Sequence, residues 1–331
     1  MDNLDLLIMG GTRFIGPHII RTARERGHRV TMFNRGKTNP DLFPDVDRLT
    51  GDRVAGDLSA LEGSNWGAII DTSAYFPHVV HQLLDILGDG IGHYLMVSTI
   101  SVYDGWDYPG IDEDTQKHEP LYDESADLTG ETYGPLKVAC EKRAHEHAPG
   151  ALTILRPGIV AGPRDHTDRF TYWPVRAARG GQMLAPGAPA DPIQYIDVRD
   201  LAAWMLDCLE QQITGTFNTV VPRGSVTMGS LVEASQDATG DGAAEATWVS
   251  ADTLRDHDAE EEFPLWAPAD GATRGLHRVD TSRAIEAGMT TRSVADTAAD
   301  TLAWFDKQRR ELGAGPSPER EKELLEAFEA D

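Results

Sequence analysis

The chain has 331 residues, 40% of them hydrophobic and 25% charged, which is the composition of a globular protein and not of a disordered one. Thirty Lys and Arg stand against 54 Asp and Glu, a formal net charge of −24, and this surplus argues against a general binder of nucleic-acid backbones. No apolar run reaches the ~18 residues of a membrane span, and the first residues lack a basic signal region. Cys140 and Cys208 show neither disulfide nor zinc spacing, so a reduced, cytoplasmic setting is expected.

The N-terminal third alternates short apolar runs with helical patterns. Leu4–Met9 reads as a buried strand, Phe14–Arg26 as a helix ended near Gly27, and His28–Phe33 as a second strand. Arg48–Gly51 is a short third strand and Ala68–Asp71 a fourth; Val79–Leu87 is helical and Tyr94–Ser98 a fifth strand. Strands alternating with helices of this length predict βαβ units, hence an α/β, Rossmann-type doubly wound parallel sheet. Residues 104–130 are acidic and rich in turn formers and read as a surface loop. A helix over Tyr133–His147 and a strand at Leu152–Arg156 follow. Beyond Pro157 the pattern loosens: a helix at Phe170–Arg179, a strand at Gln194–Val198, a helix at Asp200–Glu210 and a strand at Thr216–Val221. Later still come a strand near Thr247–Val249 and a helix at Val294–Arg310. This interleaving predicts a dinucleotide core of residues 1–157 plus about 190–222, and a smaller substrate lobe of about 158–189 plus 223–315. Residues 316–331 read as a charged helical tail with too little apolar surface to anchor firmly.

Gly10-Gly11-Thr12-Arg13-Phe14-Ile15-Gly16 lies between the first strand and the first helix. There Gly10 permits the tight turn, Gly16 lets the helix pack closely, and the helix N-terminus receives a pyrophosphate. Arg13 occupies the place of the middle glycine of the usual spacing, so it points away or grips a phosphate. The second strand ends in Phe33-Asn34-Arg35-Gly36-Lys37, with no carboxylate to hold ribose hydroxyls. An arginine there suits a ribose 2′-phosphate, which favours NADP over NAD. Asp52, beside Arg53, is a candidate for the adenine amino group.

Tyr133 and Lys137 stand at i and i+4 on one helix face, where an ammonium would draw a phenol toward the range of a general base. Ser98, Thr99 and Ser101 lie where the fifth strand runs off its carboxyl end, the end at which open α/β sheets bind ligands. In Arg164-Asp165-His166-Thr167-Asp168-Arg169-Phe170-Thr171-Tyr172-Trp173, the arginines Arg164 and Arg169 with Tyr172 and Trp173 could stack and neutralise a substrate. His166 has no second ligand at helical spacing, so no metal site is expected.

Taken in order, Gly10–Gly16, Asp71-Thr72-Ser73-Ala74-Tyr75, Ser98–Tyr103, Tyr133–Lys137 and Arg156–Pro163 resemble the short-chain dehydrogenase/reductase superfamily, in its extended branch, the NAD-dependent epimerase/dehydratase family. The resemblance covers residues 4 to about 222. It implies Tyr133 as acid/base, Lys137 as its electrostatic partner and ribose ligand, and Thr99 as the catalytic hydroxyl, with Ser98 the fallback. It also implies cofactor contacts at Thr72, Ser73, Ala74 and Pro157, a substrate contact at Tyr75, and a homodimer through the helices near Val79–Leu87 and Tyr133–His147. Two departures matter. Nucleotide-sugar epimerases carry a phosphate-gripping Arg before the stretch that here reads Tyr195–Leu201, but Ile193-Gln194 stands in its place. The loop Gly-Gly-Thr-Arg-Phe-Ile-Gly resembles an atypical subgroup that includes chloroplast stem-loop RNA-binding proteins. The expected activity is hydride transfer to or from a carbinol or ketone carbon of a small or sugar-like substrate. The alternatives are an epimerase or dehydratase with retained cofactor, and a cofactor-sensing or RNA-binding protein without turnover.

Overall fold

A computed structural model describes residues 3–108, 110–148 and 150–328. Seven parallel strands form the central sheet: β1 (Asp5–Met9), β2 (Arg29–Asn34), β3 (Asp47–Thr50), β4 (Ala68–Asp71), β5 (His93–Val97), β6 (Ala151–Pro157) and β10 (Gly215–Thr219). Their spatial order is β10-β6-β5-β4-β1-β2-β3, so the order reverses at β1 and opens a crevice at the carboxyl ends. Alternate residues of each strand feed opposite faces. In β1, Leu6 and Ile8 join the apolar cluster under α1 (Ile15–Glu25) and α5 (Val198–Glu210). Leu7 and Met9 join the cluster under α2 (Pro77–Leu87) and α3 (Gly130–His147). Thr129 and Thr132 start α3 with a reciprocal capping box.

After β6 the chain builds a second body. Short strand pairs form between β7 (Val160–Ala161) and β9 (Ile196–Asp197), and between β8 (Gln182–Pro186) and β11 (Glu245–Val249). Around them pack α4 (Tyr172–Ala178), α6 (Met228–Thr239) and α9 (Val294–Phe305), with α7 (Ala251–Asp256) and α10 (Pro318–Phe328) closing the edges, while α8 (Ser282–Glu286) returns to pack on β10 of the sheet. No helix among the described residues is long and apolar enough to cross a membrane.

Every strand and helix expected through β6 is present, with ends shifted by a few residues. The differences come later. The expected strand at Gln194–Val198 shrinks to two paired residues, because Gln194 turns its side chain onto the backbone of Val221 and Val279. Helix α6 had no counterpart in the reading; Gly229, Ser230 and Ser235 break its apolar rhythm, although Thr227 and Ser230 form a capping box. The tail is anchored, contrary to expectation: Leu324 is buried, and the Glu321 carboxylate reaches Arg176 at 2.5 Å and the Leu184 N–H at 3.0 Å. The loop over residues 104–130 is not wholly superficial either, since Ile111 and Glu113 are buried within it.

Candidate active site

The turn after β1 places Gly10 at φ +104° and Gly11 at φ +98°, a region closed to most side chains. A Cβ on Gly16 would lie 2.5 Å from Gly11, so α1 can sit directly on the loop only with glycine there. Thr72 Oγ1 donates to the Met9 carbonyl at 2.8 Å and ties the ends of β4 and β1 together. Phe14 caps α1 at φ 39° with no side-chain cap bond; in the first turn the Gly16 N–H goes back to the Arg13 carbonyl at 3.1 Å and Pro17 has none, which leaves the Ile15 N–H for the crevice. The crevice holds a cleft of about 410 Å³ lined by Gly10, Gly11, Thr12, Arg13, Phe14 and Ile15 on this side.

Its other wall is Asn34, Arg35, Gly36, Lys37, Asp52 and Arg53, with Thr72, Ser73, Tyr75 and His166 at the inner end. Most of these are residues expected at the site, brought together along one cleft, yet two side chains are committed elsewhere. Asn34 donates to the Gly10 carbonyl and accepts from the Gly36 N–H, each at 2.9 Å, so it shapes the loop and offers the cleft little more than backbone. The guanidinium of Arg53 is buried, bound to Asp71 at 2.6 Å, Ser73 at 3.1 Å and the Val79 carbonyl at 3.0 Å. Burial alone would raise the Asp71 carboxyl, but Arg53, the Ser73 N–H and the Tyr94 hydroxyl outweigh it and hold it below the usual carboxylate range. Arg35 is exposed and faces Asp52 at 3.8 Å.

The reacting end lies where β5 meets α3. Thr99 begins a single 3₁₀ turn, its Oγ1 accepting from the Ser101 N–H at 3.1 Å. Gly134 lets α3 approach this turn, because a Cβ there would overlap the Ser101 carbonyl. Tyr133 thereby meets the Thr99 hydroxyl. Burial pushes its phenol above the usual tyrosine range, while Thr99 and then Arg169 draw it back. Lys137 follows one turn further along α3. Its buried ammonium donates to the carbonyls of Ala74 at 2.6 Å and Val97 at 2.7 Å, and stands 5.8 Å from the Tyr75 ring centre. One ammonium hydrogen is left over from those two bonds, and it is the one a ribose hydroxyl would take.

Several expected site residues lie elsewhere. Ser98 donates to Glu141 at 2.6 Å inside a buried network with Arg156, away from Tyr133, because adjacent strand residues face opposite sides of the sheet. Tyr172 and Trp173 are fully buried in the second body's core, the Trp173 indole donating to the Pro264 carbonyl at 3.0 Å. They are packing residues, not a stacking platform for substrate. Arg164, at φ 75°, stands near Arg21 and His18 of α1 and outside the cleft wall. Pro157 ends β6 in register with Thr219, and neither it nor Ala74 lines the cleft. Arg169 is the one arginine of that segment that faces Tyr133.

His166 was set aside in the sequence and proves to be a wall residue, its ring edge-on to Phe14 at 5.6 Å. Only the fold brings it there, since it comes from the second body and Phe14 from the first turn. Its imidazole is lowered from the usual range, by burial first and by Arg13 next. Arg13, Arg35, Lys37 and Arg169 thus collect cations around the crevice of a chain whose net charge is −24.

Comparison with known proteins fits this geometry. The NAD dependent epimerase/dehydratase family matches residues 6–219. The chain is 26% identical over 220 residues to the chloroplast stem-loop binding protein of 41 kDa b of Arabidopsis thaliana, a match covering 62% of this chain and 54% of that one. It is 28% identical over 222 residues to 2-alkyl-3-oxoalkanoate reductase of Stenotrophomonas maltophilia, covering 61% of this chain and 64% of that one. The chain therefore spans about half to two thirds of the length of these two relatives. Among solved structures, a UDP-glucose 4-epimerase superposes with a TM-score of 0.68 at 19% identity, over 93% of this chain and 99% of that one. With a seven-stranded parallel sheet, a glycine cradle at its switch point and a match across the whole sheet, the chain belongs to the NAD-dependent epimerase/dehydratase family.

Proposed function

We propose that the protein is an NADP(H)-dependent reductase or dehydrogenase acting on a small carbonyl or sugar-like compound that carries negative charge. The observation that supports this most is the meeting of the Tyr133 and Thr99 hydroxyls at the carboxyl end of β5, next to the cation-rimmed cleft. The cleft fits a dinucleotide: Gly10, Gly11 and Gly16 leave room where a Cβ would intrude, and the positive end of α1 faces it. The backbone of Thr12, Phe14 and Ile15 would hold the pyrophosphate, Arg35 and Lys37 a 2′-phosphate, and Lys137 the nicotinamide ribose. Arg35 has only an exposed, screened pairing with Asp52, which a phosphate dianion displaces readily. When bound, the nicotinamide supplies or accepts the hydride.

The chain's own residues handle the oxygen and its proton. Thr99 donates a hydrogen bond to the carbonyl oxygen, and Tyr133 delivers the proton as negative charge grows there. Arg169 stabilises the phenolate that is left. Arg13 and His166, across the cleft, are placed to meet a carboxylate or phosphate on the substrate. A relative named as a reductase of 2-alkyl-3-oxoalkanoates, which pair a ketone with a carboxylate, agrees with that class.

An epimerase or dehydratase of nucleotide sugars is the second reading, favoured by the likeness to UDP-glucose 4-epimerase. Against it, Gln194 spends its whole side chain on Val221 and Val279, and nothing in its place grips a diphosphate. The stem-loop binding relative keeps an RNA-binding reading in view, and the −24 charge weighs against it. A homodimer through the outer faces of α2 and α3 belongs to the first reading and rests on the family resemblance. The test is Tyr133→Phe on a carbonyl substrate found by screening with NADPH. Turnover falls by ~10²–10⁴ while cofactor affinity holds, because Phe keeps the ring and loses the proton. Full activity in that variant would overturn the assignment.

A further inference from the structure

We propose that His81, Asp85 and His147 form a binding site for a zinc-type divalent cation that clamps α2 to the end of α3. The site uses none of the catalytic or cofactor residues of the reading above, although it lies on the two helices assigned there to a homodimer. His81 and Asp85 stand four residues apart on one face of α2, and His147 is the last residue of α3. A ligand atom from each of the three lies within 4.8 Å of the others. His81 Nε2 is 3.4 Å from one Asp85 oxygen, and His147 Nδ1 is 4.0 Å from the other.

These spacings suit coordination. With zinc bonds of about 2.0–2.2 Å, neighbouring ligand atoms of a tetrahedral ion lie roughly 3.3–3.5 Å apart. His81 and Asp85 already stand at that spacing, and His147 has to move in by up to about 1 Å to complete it. The imidazoles already lie against each other, tilted, with ring centres 4.3 Å apart and planes at 56°. Glu146 stands 3.8 Å from the outer nitrogen of His147, in the position of the carboxylate that commonly orients a metal-bound histidine. Arg143 holds that glutamate at 2.9 Å. Two imidazole nitrogens with one carboxylate select a borderline ion such as zinc over magnesium or calcium, which prefer oxygen cages. Three protein ligands leave a fourth position for water. The bland alternative is a solvated His81–Asp85 pair, but Asp85 is largely exposed and such a pair is worth little alone. It also gives no reason for His147 to converge on the same carboxylate.

No metal was expected from the sequence, because the histidine considered there was His166 and the convergence of α2 with α3 is a tertiary event. The packing of these two helices along their length brings His147 to His81. The proposed clamp would lie on the outer flank of the sheet's covering layer, and its effect is on stability.

The experiment uses the full, tag-free chain, stripped with a chelator, and titrates zinc chloride against a chromophoric competitor. One zinc per chain is expected. His81→Gln and His147→Gln each weaken binding by about 100-fold or more, and Glu146→Gln by about 10-fold. His145→Gln, exposed on the same helix but outside the cluster, leaves affinity unchanged. Zinc raises the melting temperature of the parent chain and not that of His147→Gln. Absence of stoichiometric binding overturns the proposal, and so does binding that neither His81→Gln nor His147→Gln alters. Equal competition by magnesium overturns it as well.

Discussion

The sheet and the second body are held together in different ways. The sheet's two apolar clusters are mostly aliphatic: Leu6, Ile8, Ile70 and Leu95 on one side, Leu7, Ile69, Leu83 and Ile154 on the other. The second body is built on aromatic rings, among them Phe170, Tyr172, Trp173, Tyr195 and Trp266; its buried polar joints reach far along the chain, whereas Arg53–Asp71 and Arg156–Glu141 beside the sheet join residues 18 and 15 positions apart. Arg176 meets Glu321 from the far end of the chain, and Gln194 bridges Val221 and Val279 while its N–H reaches His277. Aliphatic layers built from successive βαβ units need only local order to assemble. A joint such as Arg176–Glu321, 145 positions apart, needs the whole chain in place and leaves a buried polar group stranded when it fails.

The sharpest way to break this contrast is Glu321→Ala. It leaves the Arg176 guanidinium buried without its carboxylate, a loss of about 3–5 kcal/mol. Arg24→Ala, which removes an exposed partner of Asp45 on the sheet side, costs under about 1 kcal/mol. Denaturant unfolding of the two variants reads the difference directly. If Glu321→Ala is as mild as Arg24→Ala, the tail joint contributes nothing and the contrast collapses.

Acid separates the two regions next. Burial pushes His93 on β5 and His277 in the second body down to about 4, from an ordinary value near 6.5. The unfolded chain therefore takes up these protons first as pH falls. The stability that both neutral imidazoles provide is complete above about pH 6.5 and is lost progressively toward pH 4, by about 2–3 kcal/mol per histidine. Unfolding midpoints measured between pH 7 and 4.5 should fall accordingly. His93→Gln and His277→Gln should each flatten the dependence by its own share; two separate transitions, each answering to one variant, would show that the regions unfold independently.

The smallest effect tests function within the sheet region alone. Arg35→Ala should erase most of a preference for NADPH over NADH, about 1.5–3 kcal/mol, and leave stability unchanged. Fluorescence titration with both dinucleotides measures it, and equal affinities in the parent chain would remove the NADP reading.

The contrast also explains what could be read from the sequence. Strand β4 is Ala-Ile-Ile-Asp, and every residue of it is buried, so a continuous apolar run reports its position without help from elsewhere. The glycine loop and the Tyr133–Lys137 spacing are likewise local signals. Ser98 and Thr99 were harder to separate, because a one-residue choice decides the face of the sheet, and Glu141, which claims Ser98, comes from a distant helix. Tyr172 and Trp173 look the same on paper whether they line a pocket or fill a core. What decides between these roles is the Pro264 carbonyl and the tail packed near them. Lys137 carried the family's spacing, but nothing in the sequence shows that the ammonium goes to the Ala74 and Val97 carbonyls.

Gly134 carries a mechanical consequence. Because no side chain separates α3 from the Ser101 carbonyl, main chain rests on main chain at the point where Tyr133 is delivered to Thr99. A contact of that kind has no rotamers through which to relax. The gap between the two hydroxyls therefore takes its tolerance from the stiffness of a helix capped at Thr129, and not from the looser wells of a packed side chain. Under the proposed function, positional error at the reacting oxygen would be set by the backbone, before any substrate arrives.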